Sequence, residues 1–278
     1  MIIKKILSNN AIVGLDQNKE VIVRGKGLGF NKQEGDLIDE EKIEKVYTLS
    51  NSDMQSKFQE LMERIPSSFF HMSDEIIAYA KELTSKKLND SIYIALSDHI
   101  YTSIDRHMSG VNVKNPMLWD IRRFYPIEFK VGLKALEIIE KNYNVTLPED
   151  EAGFIALHIV NAQLDENLPV VYDITKVMQE ISNIVKYTTN IVFEEDSVYY
   201  YRFITHLKFF AQRLFSNKTY RDEQDDILDT IKLRYKEGYG CVLKIKDFLK
   251  EKYDYELSNE EQLYLTIHIQ KIVAESRL

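Results

Sequence analysis

The sequence predicts a multidomain fold: a small antiparallel all-β domain at the N-terminus, then two all-α helical-bundle domains that duplicate one another. Three observations predict it. Apolar residues alternate with period two through the first 50 positions, as in half-buried strands. After Asn51-Ser52-Asp53 the period changes to 3.6 and stays helical to the end. Finally, the stretch from Leu147 to Ile159 returns in altered form from Leu257 to Ile269, a displacement of 110 residues. His158 and His268 share that displacement, and His99 and His206 nearly share it, at 107. A module of roughly 110 residues is therefore repeated, and each copy carries two histidines in matching places.

The first domain begins with the strand candidate Met1-Ile2-Ile3-Lys4-Lys5-Ile6-Leu7, broken by Ser8-Asn9-Asn10. Ala11-Ile12-Val13-Gly14-Leu15 leads through the turn-forming Asp16-Gln17-Asn18-Lys19 into the alternating Glu20-Val21-Ile22-Val23-Arg24. The glycine-punctuated loop Gly25-Lys26-Gly27-Leu28-Gly29-Phe30 follows, and residues 42–49 supply a fourth strand. Four short strands enclose a thin core, so the unit is expected to need a partner, most simply a second copy of itself. Amphipathic helices run from Gln55 onward. Pro148 with Glu149, Asp150 and Glu151 marks one helix start, and Ser258 with Glu261 is a capping box at the matching place in the second copy. Asp165-Glu166-Asn167-Leu168-Pro169 separates the copies, which divides the chain at 1–55, 56–168 and 169–278.

Composition narrows the class. Hydrophobic residues at 44% and charged ones at 29% are ordinary for a globular chain in water. No apolar run reaches the roughly 18 residues of a membrane helix, and no signal-peptide pattern opens the chain. The one cysteine, Cys241, is expected to be a buried structural thiol in a reducing cytoplasm. A net charge of −8 excludes a surface that is basic throughout, yet residues 1–33 set six Lys or Arg against Asp16 and Glu20. A basic island thus opens an acidic chain.

Two groups of residues carry candidate chemistry. In the 25–30 loop, glycines let backbone amides approach a ligand and Phe30 offers a stacking face. Taken alone, tight-turn chemistry is the stronger reading of that loop. Set beside Lys5, Asn9 and Asn10, the residues Gly25, Lys26, Gly27 and Phe30 become donors, cations and an aromatic on one sheet, which is equipment for RNA loops and bulges. The second group is His99, His158, His206 and His268. A lone histidine on an apolar helix face is more often a core residue than a site. Metal-ligand spacing is missing around all four, no cofactor motif is present, and a catalytic centre has no need of two copies. Paired, duplicated histidines suit reversible phosphorylation, which adds about −1.5 to −2 charge. Asp98 precedes His99 whereas Thr205 precedes His206, so the copies differ; Asp98 is expected to orient the ring or repel a phosphate. His71 and His107 have no counterpart in the repeat and read as surface residues. The aromatics around Tyr199–Phe210 read as core, and Asp222-Glu223-Gln224-Asp225-Asp226 as a solvated turn or helix start.

These residues carry a family resemblance. Ile6-Leu7-Ser8-Asn9-Asn10-Ala11 and the 25–30 loop resemble the co-antiterminator RNA-binding domain of the BglG/SacY-type transcriptional antiterminators. The stretches from Asn89 to His99 and from Glu149 to Ala162 resemble that family's first phosphotransferase-system regulation domain. Those from Tyr201 to Arg213 and from Leu265 to Ile269 resemble the second. The resemblance runs over the whole chain. It implies a dimeric β domain that binds a leader-RNA hairpin and prevents terminator formation, in a sugar operon of the β-glucoside kind. It further implies that His99, His158, His206 and His268 take phosphate from the phosphocarrier protein and sugar permease of the phosphotransferase system. Lys26 stands where that family commonly has Arg, which keeps the charge but loses the bidentate fork. A DNA-binding activator with the same regulation domains is the alternative, but the first 55 residues alternate with period two and offer no helix-turn-helix. An enzyme using the histidines for phosphoryl transfer would need a small-molecule pocket that no motif indicates.

Overall fold

The period-two alternation of the N-terminus folds into an antiparallel meander, ordered β1-β2-β3-β4, of β1 (Ile2–Ser8), β2 (Ala11–Asp16), β3 (Lys19–Arg24) and β4 (Lys45–Tyr47). The computed structural model describes residues 1–16, 19–48, 52–164, 168–215 and 226–277. Gln17 and Asn18 of the expected turn, the expected 165–169 separator up to Asn167 and the acidic cluster up to Asp225 lie outside the described residues. Asp16 pairs with Lys19, the register a two-residue hairpin requires. The fourth strand is shorter than the pattern predicts, because Glu40–Lys42 closes as a 3₁₀ turn before it.

Alternation sends the sheet's apolar residues to two faces. Ile3, Ile12, Val21 and Val23 meet Leu28 and Ile38 of the following loop in a small core. Leu7, Ala11, Val13, Ile22 and Tyr47 point the other way and join the core of the helices. The thin β unit therefore finds cover for one face within its own chain, against α1 (Ser52–Arg64), α2 (Ser67–Thr84) and α3 (Ser91–Met108). A polar tie accompanies it: the buried Arg24 donates to Asp74 Oδ2 at 2.8 Å, and Tyr47 Oη donates to the same oxygen at 3.0 Å. Breaking a buried pair of this kind by removing one partner costs about 3 kcal/mol.

The chain forms two compact units, Met1–Glu166 and Asn167–Leu278. In the first, α4 (Leu118–Phe124), α5 (Pro126–Tyr143) and α6 (Glu149–Leu164) complete the bundle, with α2 on α3 and α5 and α3 on α6. The second holds α7 (Leu168–Thr189), α8 (Val198–Phe215), α9 (Asp226–Arg234), α10 (Lys236–Tyr253) and α11 (Asn259–Glu275). It repeats the pairing: α7 packs on α8 and α10, and α8 on α11. Cys241 is buried in α10, and burial pushes its thiol up to about 11. No helix among the described residues is long and apolar enough to cross a membrane.

Candidate functional site

The sheet surface comes first. Every amide from Gly25 to Phe30 donates within the domain: Gly25 to Asn10 O, Lys26 to Glu44 Oε1, Gly27 to Asn10 Oδ1, Leu28 to Gly25 O, Gly29 to Asn9 O and Phe30 to Gly27 O. The expected role of these glycines, to offer amides to a ligand, is thereby corrected. Gly25 is glycine because a Cβ there would stand 1.8 Å from Lys42 O. Gly27 is glycine because its φ is +67°. Asn10 is the clasp that holds the loop against the β1–β2 turn. The loop presents side chains instead: Lys26 is exposed and Phe30 is 60% exposed. Two neighbours are engaged by the helices, since Lys5 Nζ lies 2.9 Å from Glu63 and Asn10 Nδ2 donates to Ser67 Oγ at 3.1 Å. Asn9 is exposed.

The histidine pairs meet as the repeat predicts. His99 on α3 and His158 on α6 place their ring centroids 4.8 Å apart. His206 on α8 and His268 on α11 stack at 4.1 Å. The surroundings of the two pairs differ. His158 is buried, its Nδ1 has no hydrogen-bond partner among the described residues, and burial followed by the charge of His99 holds its pKa well below the ordinary value. His99 Nε2 lies 3.1 Å from Glu151 Oε2 without the alignment of a hydrogen bond. Glu151 is itself buried and accepts from Arg106 Nη2 at 2.6 Å. Burial acts to raise the Glu151 carboxyl, but His99 and Arg106 outweigh it and hold the pKa below normal.

Asp98, expected to act on His99, is bound instead by Arg64 at 2.6 Å. Neighbours in sequence stand about 100° apart around a helix, so the carboxylate facing the ring comes from another helix. Glu151 and Arg106 were missed as site residues. Their signal was the repeat: Glu151 and Glu261 are 110 apart, and Arg106 and Arg213 are 107 apart, the histidines' own displacements.

In the second unit His206 is exposed and His268 half-buried. Burial and then Arg213 lower the pKa of His206. Burial, then His206, Lys271 and Arg202, bring His268 down to about 4. Arg202, Arg213 and Lys271 are thus near the pair. A cavity of about 430 Å³ opens over the rings, and Phe203, Phe210, Arg213, Glu260, Glu261 and Tyr264 share its lining with them. Both second-unit rings are neutral at neutral pH and keep a nitrogen lone pair for an electrophile, with cations beside them for an arriving anion.

Comparison with known proteins matches this arrangement. The model of the CAT RNA binding domain matches residues 1–56, and that of the PRD domain matches twice, at 74–162 and 179–272. The chain is 51% identical over 278 residues to the transcription antiterminator LicT of Bacillus subtilis (strain 168), covering 99% of this chain and 100% of that one. It is 46% identical to the beta-glucoside operon antiterminator of Dickeya chrysanthemi, over 99% of this chain and 98% of that one. Among solved structures, the crystal structure of GlcT CAT-PRDI aligns with a TM-score of 0.51 and 34% identity, over 58% of this chain and 97% of that one.

Proposed function

The chain belongs to the BglG/SacY family of transcription antiterminators, with a CAT RNA binding domain and two PRD domains, and from that premise we propose how its parts divide the work. Residues 1–55 bind a leader-RNA hairpin, and the modules at 56–168 and 169–278 govern that binding through phosphorylation of His99, His158, His206 and His268. The name of the Dickeya chrysanthemi relative favours a β-glucoside operon as the target. The RNA surface is made by Lys5, Asn9, Asn10, Lys26 and Phe30, with Gly25 and Gly27 shaping the loop. Asn10 serves as the clasp, and Phe30 supplies the stacking face. The donors are the phosphocarrier protein and sugar permease of the phosphotransferase system, met in the cytoplasm. The working form is a homodimer; Ile2, Leu37 and Val46 leave apolar side chains exposed on the β unit for a second copy to cover.

The observation that carries this reading is the pairing of histidines across α3 and α6 and again across α8 and α11. A phosphoryl group on the first pair arrives against the buried Glu151 carboxylate, and like charges at low dielectric force the module open. On the second pair it arrives among Arg202, Arg213 and Lys271 and ties the module closed. Modification of the first module therefore inhibits, and modification of the second activates. Mass spectrometry of phosphohistidine, after incubation with the general phosphotransferase proteins with and without the permease, tests the assignment. Label on His206 or His268 with the general proteins alone, and on His99 or His158 only with the permease, is the expected result. Label elsewhere overturns it.

A further inference from the structure

Each module holds the same four groups, two histidines, an arginine and a glutamate, but spends the glutamate differently. Glu151 gives one oxygen to Arg106 at 2.6 Å and sets the other 3.1 Å from His99. Glu261 is taken elsewhere. Its oxygens accept from Tyr255 Oη at 2.9 and 3.1 Å, and one also accepts from the Ser258 amide at 3.1 Å. Arg213 Nη2 forms a looser ion pair with it at 3.6 Å, and among the described residues no histidine pairs with Glu261.

The sequence explains the difference. The positions 110 before Tyr255 and Ser258 are Val145 and Pro148. Valine has no hydroxyl, and proline has neither hydroxyl nor amide hydrogen, so the first module lacks both donors. In the second, Ser258 and Glu261 close a capping box at the start of α11. Tyr255 lies beneath it, edge-on to Phe210, which lines the cavity over the histidines. Burial and the Glu261 carboxylate both hold the Tyr255 proton on its oxygen, so it stays a donor.

We propose that Tyr255 is a positioning residue of the second module's phosphoryl-acceptor site: with the Ser258 amide it holds Glu261 away from His206 and His268, leaving the cations there to meet the phosphoryl oxygens. The inference rests on the reading that these histidines accept phosphate. In that transfer an imidazole nitrogen lone pair forms the new P–N bond as the P–N bond of the donor phosphohistidine breaks, and the bonding pair returns to the donor ring. The phosphoryl oxygens carry their charge across, so a carboxylate facing the ring raises the barrier and a guanidinium lowers it.

Tyr255→Phe in the full chain removes one hydroxyl and keeps the ring packing. Glu261 then turns toward Arg213 and the histidines. Two readings follow. In the unphosphorylated protein, the NMR titration midpoints of His206 and His268, which face Arg202, Arg213, Lys271, Glu260 and Glu261, move upward. With a purified phosphohistidine carrier protein as donor, the initial rate of labelling at these residues falls roughly tenfold, while labelling of the first module is unchanged. Adding Glu261→Gln to Tyr255→Phe restores the rate, because a neutral amide does not repel phosphate; a merely structural defect would not be rescued. If midpoints and rate stay put in Tyr255→Phe while the unaltered chain is labelled, the role of Tyr255 is overturned alone. If the unaltered chain takes no label on either histidine, the acceptor reading falls with it.

Discussion

The first and second helical modules pair the same helices and gather the same four side chains, yet their histidines meet opposite fields. In the first, a buried carboxylate stands at His99 and the second ring, His158, is sealed in the core. In the second, Tyr255 and Ser258 hold the Glu261 carboxylate on the wall of a cavity over the rings, unpaired with either histidine, and Arg202, Arg213 and Lys271 stand nearby. Duplication supplied the shared scaffold. Two differences at equivalent positions, valine against tyrosine and proline against serine, give the two glutamates different partners, and on the proposed reading they reverse the response to an added phosphate. A shared motif fixes which groups meet, while the donors around it decide what their charges do.

The largest effect should come from placing a fixed negative charge in each module. His206→Asp with His268→Asp should give antitermination without any phosphocarrier, and His99→Asp should abolish it, read as transcription past a leader terminator into a reporter. Opposite signs would break the comparison. Next in size is the loss of the arginine beside each pair. Arg106→Ala leaves buried Glu151 without its guanidinium and should destabilise the chain by about 3 kcal/mol. Arg213→Ala should cost about 1 kcal/mol, since Glu261 keeps the tyrosine and the cap. Equal losses in urea denaturation would mean that Tyr255 and Ser258 do not hold the carboxylate.

A third test uses pH. The folded value of His268 is depressed to about 4, below an unfolded value of about 6.5. Between those values the unfolded chain binds a proton that the folded chain refuses. The stability involved is therefore complete above about pH 6.5 and falls as the pH drops toward 4. His268→Gln should flatten this stretch of the stability profile by about 2 kcal/mol. An unchanged slope would remove the buried neutral ring from the account. The smallest effect concerns the cap. Ser258→Ala should cost about 1 kcal/mol of stability. Pro148→Ala, at the equivalent place, has no cap to lose and should stay within about 0.5 kcal/mol. A full cap penalty at Pro148 would show that the two helix starts are built alike.

Much of this was legible in one dimension. Alternation placed the strands, and the repeat located the histidines and predicted that each pair would meet. The capping box at Ser258 was readable because both of its partners lie within one helical turn. Asp98 shows where local reading fails: it adjoins His99 in sequence but points to Arg64, while Glu151, 52 residues away, faces the ring. The 25–30 loop shows the same dependence. Taken alone its glycines read as a tight turn, and beside Lys5, Asn9 and Asn10 as ligand donors; what the amides do depends on Asn9, Asn10 and Glu44, which the fold brings from other strands and turns.

By itself, then, the sequence determined the order of β and α domains, the duplicated module and the four histidines, because periodicity and spacing are properties of the chain. Only the tertiary structure decided that the sheet's second face is covered by α1, α2 and α3, that Arg24 is buried against Asp74, and that Glu151 faces a histidine while Glu261 does not. The physical reason is that a charge takes its meaning from groups within a few ångströms, and in a packed bundle most of those come from other helices.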